Sequence, residues 1–145
     1  YINLPVKKGL AATVQFNDGV ASWGPLGHVW LAGLTHPINL GFTSISTEIL
    51  YRSAYQSSGH NGQLTFVFFL PMFSNKAHLT GFMDIWSQGK TGKSGEEIVI
   101  LSQPQLWYSI SPKIYIGGEA RISRNFLPKE GWHIYTTIGI KWNME

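Results

Sequence analysis

The sequence predicts an all-β protein, an antiparallel up-and-down transmembrane β-barrel with about eight strands. Three observations favour it: few charged residues, alternating apolar and polar side chains, and connections that alternate between long and short. Of the 145 residues, 13% are charged and 43% are hydrophobic, whereas soluble domains carry about 25% charged residues. The densest apolar run, 64–73, is too short for a membrane-spanning helix. Any passage through a bilayer would therefore use strands.

Composition also excludes several classes of protein. The chain contains no cysteine, which rules out a disulfide scaffold and a thiolate zinc site. Its aromatic content of 14% is far from that of a disordered chain. The formal charge of +3 comes from scattered Lys and Arg residues, so no basic patch for nucleic acid is expected. The length predicts a single domain, 1–145.

Period-two alternation identifies the strands in order along the chain. Strands at 10–17 and 28–36 come first. The segment 44–56 then alternates apolar residues with Glu48 and Arg52, and 63–70 alternates Leu64 with Gln63. One side of each such strand is apolar and the other polar, as half-buried strands require.

The remaining strands follow the same rule. Alternation continues through 79–86, 113–123 and 133–142, where three isoleucines of the last segment share one face. The segment 98–111 is less regular because it contains Pro104. A proline inside a strand predicts a bulge or a break in pairing.

The connections alternate in length. In chain order the connections are 18–27 (long), 37–42 (short), 57–62 (medium), 74–76 (short), 87–97 (long), the turn around Pro112 (very short) and 125–132 (long). Successive turns of an up-and-down barrel lie at opposite ends, so the long loops share one end. Outer-membrane barrels have short periplasmic turns and long extracellular loops, which predicts a bacterial outer-membrane location.

The polar face of the strands is the candidate lumen. It carries Ser, Thr, Gln and Gly with a few charges of both signs, which is typical of a barrel interior. The predicted lining residues are Glu48, Arg52, Gln103, Gln105, Tyr115, Glu119, Arg121, Tyr135 and Lys141. Two interpretations stay open: these side chains line a channel, or they pair with one another and fill a narrow barrel.

Aromatic residues near strand ends are candidates for the girdles that mark the membrane interface. They are Tyr51, Tyr55, Trp86, Tyr108, Trp132 and Trp142. The expected surroundings are outer-membrane lipid and lipopolysaccharide. A soluble ligand-binding β-barrel is the competing interpretation, since its strands also alternate.

No motif predicts an enzyme, a metal site or a cofactor. The five histidines are spread along the chain without H-E-x-x-H spacing, and no G-x-S-x-G motif is present. The stretch GKTGKSG at 89–95 lacks the spacing of a phosphate-binding loop. It is interpreted as a basic external loop.

The C-terminal part of the chain resembles a known family. The stretch SQPQLWYSISPKIYIGGEARISRNF, followed by GWHIYTTIGIKWNME, is similar to the end of the Tsx-like family of nucleoside-specific channel-forming outer-membrane proteins. It is closest to a branch known mainly as a domain of unknown function. The segments LTGFMDIW and VWLAGLTHP look like middle strands of that family.

This resemblance implies passive diffusion of small polar solutes such as nucleosides. It also implies a barrel of roughly twelve strands. Two interpretations are then open: the chain is the C-terminal part of such a barrel without the first strands, or it is a reduced barrel that closes with eight. A non-conducting barrel that serves as a structural or accessory subunit of an outer-membrane protein complex is the alternative function.

Overall fold

The fold is entirely β in the part of the chain that the computed structural model describes, which comprises residues 1–7, 9–21, 24–25, 27–54, 61–89, 95–126 and 130–144. No helix long and apolar enough to cross a membrane occurs among them. The strands are β1 (Ile2–Lys7), β2 (Leu10–Asn17), β3 (Val20–Ala21), β4 (Gly24–Pro25), β5 (Val29–Asn39), β6 (Ser44–Ala54), β7 (Asn61–Met72), β8 (Ala77–Gly89), β9 (Glu96–Ser102), β10 (Gln105–Ser109), β11 (Ile114–Arg124) and β12 (Trp132–Trp142).

Ten strands form one antiparallel sheet. Its order is β1-β2-β5-β6-β7-β8-β10-β11-β12, and β9 pairs with both β8 and β11. β9 and β10 share one position, between β8 and β11. The sheet is therefore nine strands wide, and we call each of these positions a lane. The small strands β3 and β4 pair only with each other. The all-β antiparallel prediction is confirmed, while the count of eight omitted the lane of β1.

The predicted break at Pro104 separates β9 from β10. The Gln103 amide donates to the Phe82 carbonyl at 3.1 Å, and the Ala120 amide donates to the Pro104 carbonyl at 3.0 Å. Gly81 faces this break with φ +153°, and a Cβ atom there would lie 2.9 Å from the Pro104 Cα. The bulge therefore depends on a residue without a side chain on the neighbouring strand.

The connections divide between two ends of the sheet. Antiparallel pairing places the connections 8–9, 40–43, 73–76 and 110–113 at one end, which we call the short-turn end. The opposite, long-loop end has the connections 18–28, 55–60, 90–95 and 125–131. The predicted alternation of long and short connections is confirmed.

The two faces of the sheet differ in an unusual way. The inner face carries the buried polar residues, among them Thr13, Glu48 and Thr65. The outer face carries exposed apolar residues: Ile49 is 69% exposed and Ile138 is 91% exposed. Buried polar residues beneath an exposed apolar surface invert the usual arrangement of a soluble domain.

The sheet curls around its inner face. The Tyr1 hydroxyl donates to the Glu48 carboxylate at 3.0 Å, although β1 and β6 are three lanes apart. Neighbouring strands lie about 4.8 Å apart, so three lanes span about 14 Å on a flat sheet. A direct contact over that span requires strong curvature.

The sheet has two free edges, β1 and β12. Within the described residues neither strand has a second pairing partner. Both run from the long-loop end to the short-turn end, because eight successive antiparallel steps separate them. The described strands thus form an open curved sheet.

Candidate functional site

The nine predicted lining residues all belong to the inner face or to the bulge that borders it. Strand registers place Glu48 opposite Thr65, Glu119 opposite Thr137 and Lys141 opposite Tyr115. Alternation along each strand then assigns the others to the same face. The side chains fall into three groups: one around Glu48, one around Glu119, and a set of cations that lie over aromatic rings.

Glu48 is held by neutral donors from two strands. Its side chain is only 3% exposed. One carboxylate oxygen accepts a hydrogen bond from the Tyr1 hydroxyl at 3.0 Å, and the other accepts one from the Gln15 amide at 2.5 Å. The donors compensate the loss of water around the carboxylate without neutralising its charge.

A second carboxylate, Asp84, lies close to Glu48. Thr65 on β7 is opposite Glu48 on one side and opposite Asp84 on the other. The Thr65 hydroxyl donates to Asp84 at 2.6 Å and accepts from the Gln63 amide at 3.0 Å. Asp84 was not among the predicted lining residues. Its position in the alternation of β8, two residues before Trp86, was the signal that could have identified it.

Arg52 lies over an aromatic ring instead of in an ion pair. Its guanidinium carbon is 5.1 Å from the centre of the Trp86 ring. A guanidinium stacked on a ring keeps donors available at its edge.

The position of Trp86 corrects a prediction. Trp86 is 6% exposed and pairs in register with the buried residues Gln63 and Val99. It therefore lies on the inner face and is not part of an outer aromatic girdle. Proximity to the end of a strand suggested the girdle, but the alternation of β8 directs the indole inward. The other predicted girdle residues Tyr51, Tyr108, Trp132 and Trp142 are exposed on the outer face, and Tyr55 lies outside the described residues.

Glu119 is held by two amides from the bulge. The Gln103 and Gln105 side chains donate to its two oxygens at 3.3 Å and 2.9 Å. Gln105 also accepts a hydrogen bond from the Trp107 indole at 3.1 Å. The predicted residues Gln103, Gln105 and Glu119 are thus brought together by the break between β9 and β10.

Two further cations of the inner face contact rings across the β11–β12 pair. The Arg121 guanidinium carbon is 4.8 Å from the centre of the Tyr135 ring, and the Lys141 ammonium is 5.5 Å from that of Tyr115. Both pairs are direct register partners. All four are predicted lining residues. Their pairing could not be predicted, because the alternation within one strand does not define its register with the next strand.

The inner-face charges do not neutralise one another by direct contact. Among the described residues, Arg52, Arg121 and Lys141 lie over rings, and none is within the 4.0 Å of an ion pair with a carboxylate. Glu48, Asp84 and Glu119 instead accept hydrogen bonds from hydroxyl and amide groups. The interpretation in which these charges fill the interior as ion pairs does not describe this part of the chain.

The described residues contain no group of three or more His, Asp or Glu side chains that could hold a metal ion. The inner face offers hydrogen-bonding groups, charges and ring faces, which are groups that recognise polar ligands.

The comparison with known proteins identifies the family. Residues 1–144 match the family described as a domain of unknown function, DUF5020. The chain belongs to the DUF5020 family. No curated protein and no solved structure matches this DUF5020 chain. Its likeness to Tsx-like channel proteins stays a prediction.

Proposed function

We propose that this DUF5020 chain forms the wall of a transmembrane β-barrel in the bacterial outer membrane, a passive channel for small polar solutes. The observation that carries the proposal is the inverted distribution of side chains. Polar residues such as Glu48 and Thr65 are buried inside the curved sheet, while isoleucines and other large apolar residues are exposed outside it. Lipid is the surroundings in which this distribution is favourable.

The outer face fits a bilayer in charge as well as in hydrophobicity. Across β2 and β5 to β12, the only Asp, Glu, Lys or Arg residues at outer-face positions are Glu96 and Arg124. Both belong to the long-loop end of their strands. Charged side chains near the interface cost little, whereas at the middle of a bilayer they cost about 2–4 kcal/mol.

Strand β12 has the length of a membrane crossing. Its outer face begins with Trp132, ends with Trp142 and carries isoleucines between them. The ten steps from Trp132 to Trp142, which rise about 3.3 Å each and are tilted by about 40°, cover about 25 Å along the membrane normal. That is the height of the apolar band in outer-membrane barrels, and the two tryptophans would then lie at its two girdles.

Permeation is supported by the unneutralised charges inside. Arg121 and Lys141, which are held over tyrosine rings, keep their charge available to water and solute. The resemblance to Tsx-like proteins adds nucleosides as the expected solute, and lipid and lipopolysaccharide as the expected surroundings.

The second candidate, a non-conducting accessory barrel of a larger complex, is favoured by the free edges of β1 and β12, which offer unpaired backbone groups to other strands.

Two experiments test the proposal in sequence. The purified protein is first compared with and without detergent, and a folded, soluble monomer in the absence of detergent would contradict the membrane location. The protein is then reconstituted into planar bilayers and liposomes, where single-channel conductance and uptake of uridine are measured. Folded, inserted protein that gives neither conductance nor uptake would leave the accessory barrel as the better explanation.

A further inference from the structure

A row of aromatic side chains crosses the inner face near the short-turn end. It comprises Phe69 on β7, His78 on β8, Trp107 on β10 and Tyr115 on β11, with Lys141 on β12 at its end. We call these five residues the ring row. The Phe69 and His78 rings stack at 5.4 Å between centres, and His78 meets Tyr115 edge-on at 5.7 Å. The row therefore extends over five lanes of the sheet.

Two glycines give Trp107 its place in the row. Gly117 and Gly139 are register partners on β11 and β12, and Trp107 is opposite Gly117. A Cβ atom on Gly117 would lie 2.7 Å from Trp107 Cε3, and one on Gly139 would lie 3.6 Å from Trp107 Cη2. The indole thus covers the positions that two side chains would otherwise occupy, which keeps it against the wall with its other face toward the interior.

The row carries a positive charge without a carboxylate partner. The Lys141 ammonium lies over the Tyr115 ring and, within the described residues, forms no ion pair. Glu119 lies on the neighbouring strand, but its oxygens are already engaged by Gln103 and Gln105. Phe69 at the other end of the row is 53% exposed although it belongs to the inner face. The Tyr115 ring therefore places an aromatic surface next to an available cation, and the row continues from there to the exposed Phe69 ring.

We propose that the ring row binds small organic anions that have a flat ring, with the ring stacked on the aromatic side chains and the anionic group at Lys141. Stacking is available to any ring, whereas the ammonium favours a carboxylate or phosphate group over a neutral one. The inference rests on the proposed channel, because the solute reaches the inner face through the lumen. It names anionic ring compounds as the preferred class.

The test uses three ring probes of similar size and one small anion with the folded protein in detergent. Benzoate has a ring and a negative charge, benzyl alcohol has the ring alone, benzylamine has the ring with a positive charge, and acetate has the charge alone. Binding is measured by calorimetry at low ionic strength, because salt screens the charge. We expect benzoate to bind about tenfold more tightly than each of the other three. Equal affinities for benzoate and benzyl alcohol, or no binding of any ring probe, would overturn the inference.

Substitutions locate the effect at the ring row. Lys141→Gln is expected to reduce benzoate affinity to that of benzyl alcohol, while Lys141→Arg retains it. Lys113→Gln is the matched control, because Lys113 is an exposed cation in a turn at the same end. Tyr115→Leu is expected to weaken both benzoate and benzyl alcohol. An unchanged benzoate affinity in Lys141→Gln contradicts the inference. If Lys141→Arg retains the affinity that Lys141→Gln loses, the decrease is caused by the missing charge; if both variants lose it, the decrease is caused by a change in the folded structure.

Conductance measured on the same preparations separates this inference from the proposed function. If the protein conducts ions but does not discriminate benzoate from benzyl alcohol, the channel is supported and the ring-row site is contradicted. If the protein binds benzoate at Lys141 but never conducts, the binding site is supported and the barrel is non-conducting.

Discussion

Strands β5 to β8 and strands β11 to β12 share an outer face but differ on the inside. In the first region the inner-face polar residues are buried and bonded to one another, as around Glu48 and Thr65. In the second region the inner face is more open, and its cations Arg121 and Lys141 lie over tyrosine rings. The first arrangement is that of a structural polar core, whereas the second leaves charge and ring surface available for recognition.

The boundary between the two regions should be the most sensitive place to substitution. Gly81→Ala adds a Cβ at a φ of +153° against the backbone of Gln103 and Pro104. Left-handed strain and overpacking together are expected to lower the free energy of unfolding by about 3 kcal/mol or more. Denaturant titration in detergent measures it. Gly62→Ala is the control, because nothing lies within 4 Å of its Cβ position, and equal stability of the two variants would contradict the role of Gly81.

The shared outer face predicts equal penalties in the two regions. Ile49→Arg on β6 and Ile138→Arg on β12 should each cost about 2–4 kcal/mol, since both place a charge in the apolar band. Thr137→Arg, which enters the inner face beside Ile138, should cost less and alter conductance. Folding into lipid vesicles, followed by denaturant titration, measures the three variants. Equal tolerance of Ile138→Arg and Thr137→Arg would reverse the assignment of the faces.

The contrast between the inner faces predicts unequal effects of removing a carboxylate. Glu48→Ala removes a carboxylate that is 3% exposed and leaves the Tyr1 and Gln15 donors without their acceptor, which should cost about 1–3 kcal/mol. Glu119→Ala is expected to cost less, because Glu119 itself is only partly buried and water can replace the carboxylate. Thermal unfolding of both variants provides the comparison. A larger loss in Glu119→Ala would mean that the two regions are equally structural.

Ion selectivity should change most in the second region, β11 to β12, and this effect is the smallest in free energy. Arg121→Gln and Lys141→Gln remove available positive charge, so the reversal potential in a salt gradient should shift toward cation preference. The corresponding change in ion free energy is about 1 kcal/mol or less. Glu48→Gln should shift it less, because Glu48 is buried behind its donors. Bilayer recordings at low and high salt provide the measurement, and a larger shift in Glu48→Gln would place the solute path along β6 instead.

The sequence predicted the faces well because a strand's side chains alternate regardless of what it pairs with. Glu48, Arg121 and Lys141 were identified from their own strands alone. Their partners were not, because Lys141 meets Tyr115 only through the register of β11 with β12. Trp86 was assigned wrongly from its place near a strand end, although its alternation with Asp84 pointed inward. Pro104 in the segment 98–111 correctly predicted the bulge. Only the position of Gly81 against Gln103 and Pro104 explains how the sheet accommodates the extra residues.

The common direction of β1 and β12 amounts to a parity rule for the sheet. With nine lanes, both edges need the same kind of neighbour, a strand that runs from the short-turn end to the long-loop end. One such strand, or three, could pair antiparallel with both edges and close the circumference at an even number. A direct seam between β1 and β12 would be parallel, with slanted hydrogen bonds and slightly weaker pairing per residue. An even number of strands therefore indicates antiparallel closure, whereas an odd number indicates a direct parallel seam between β1 and β12.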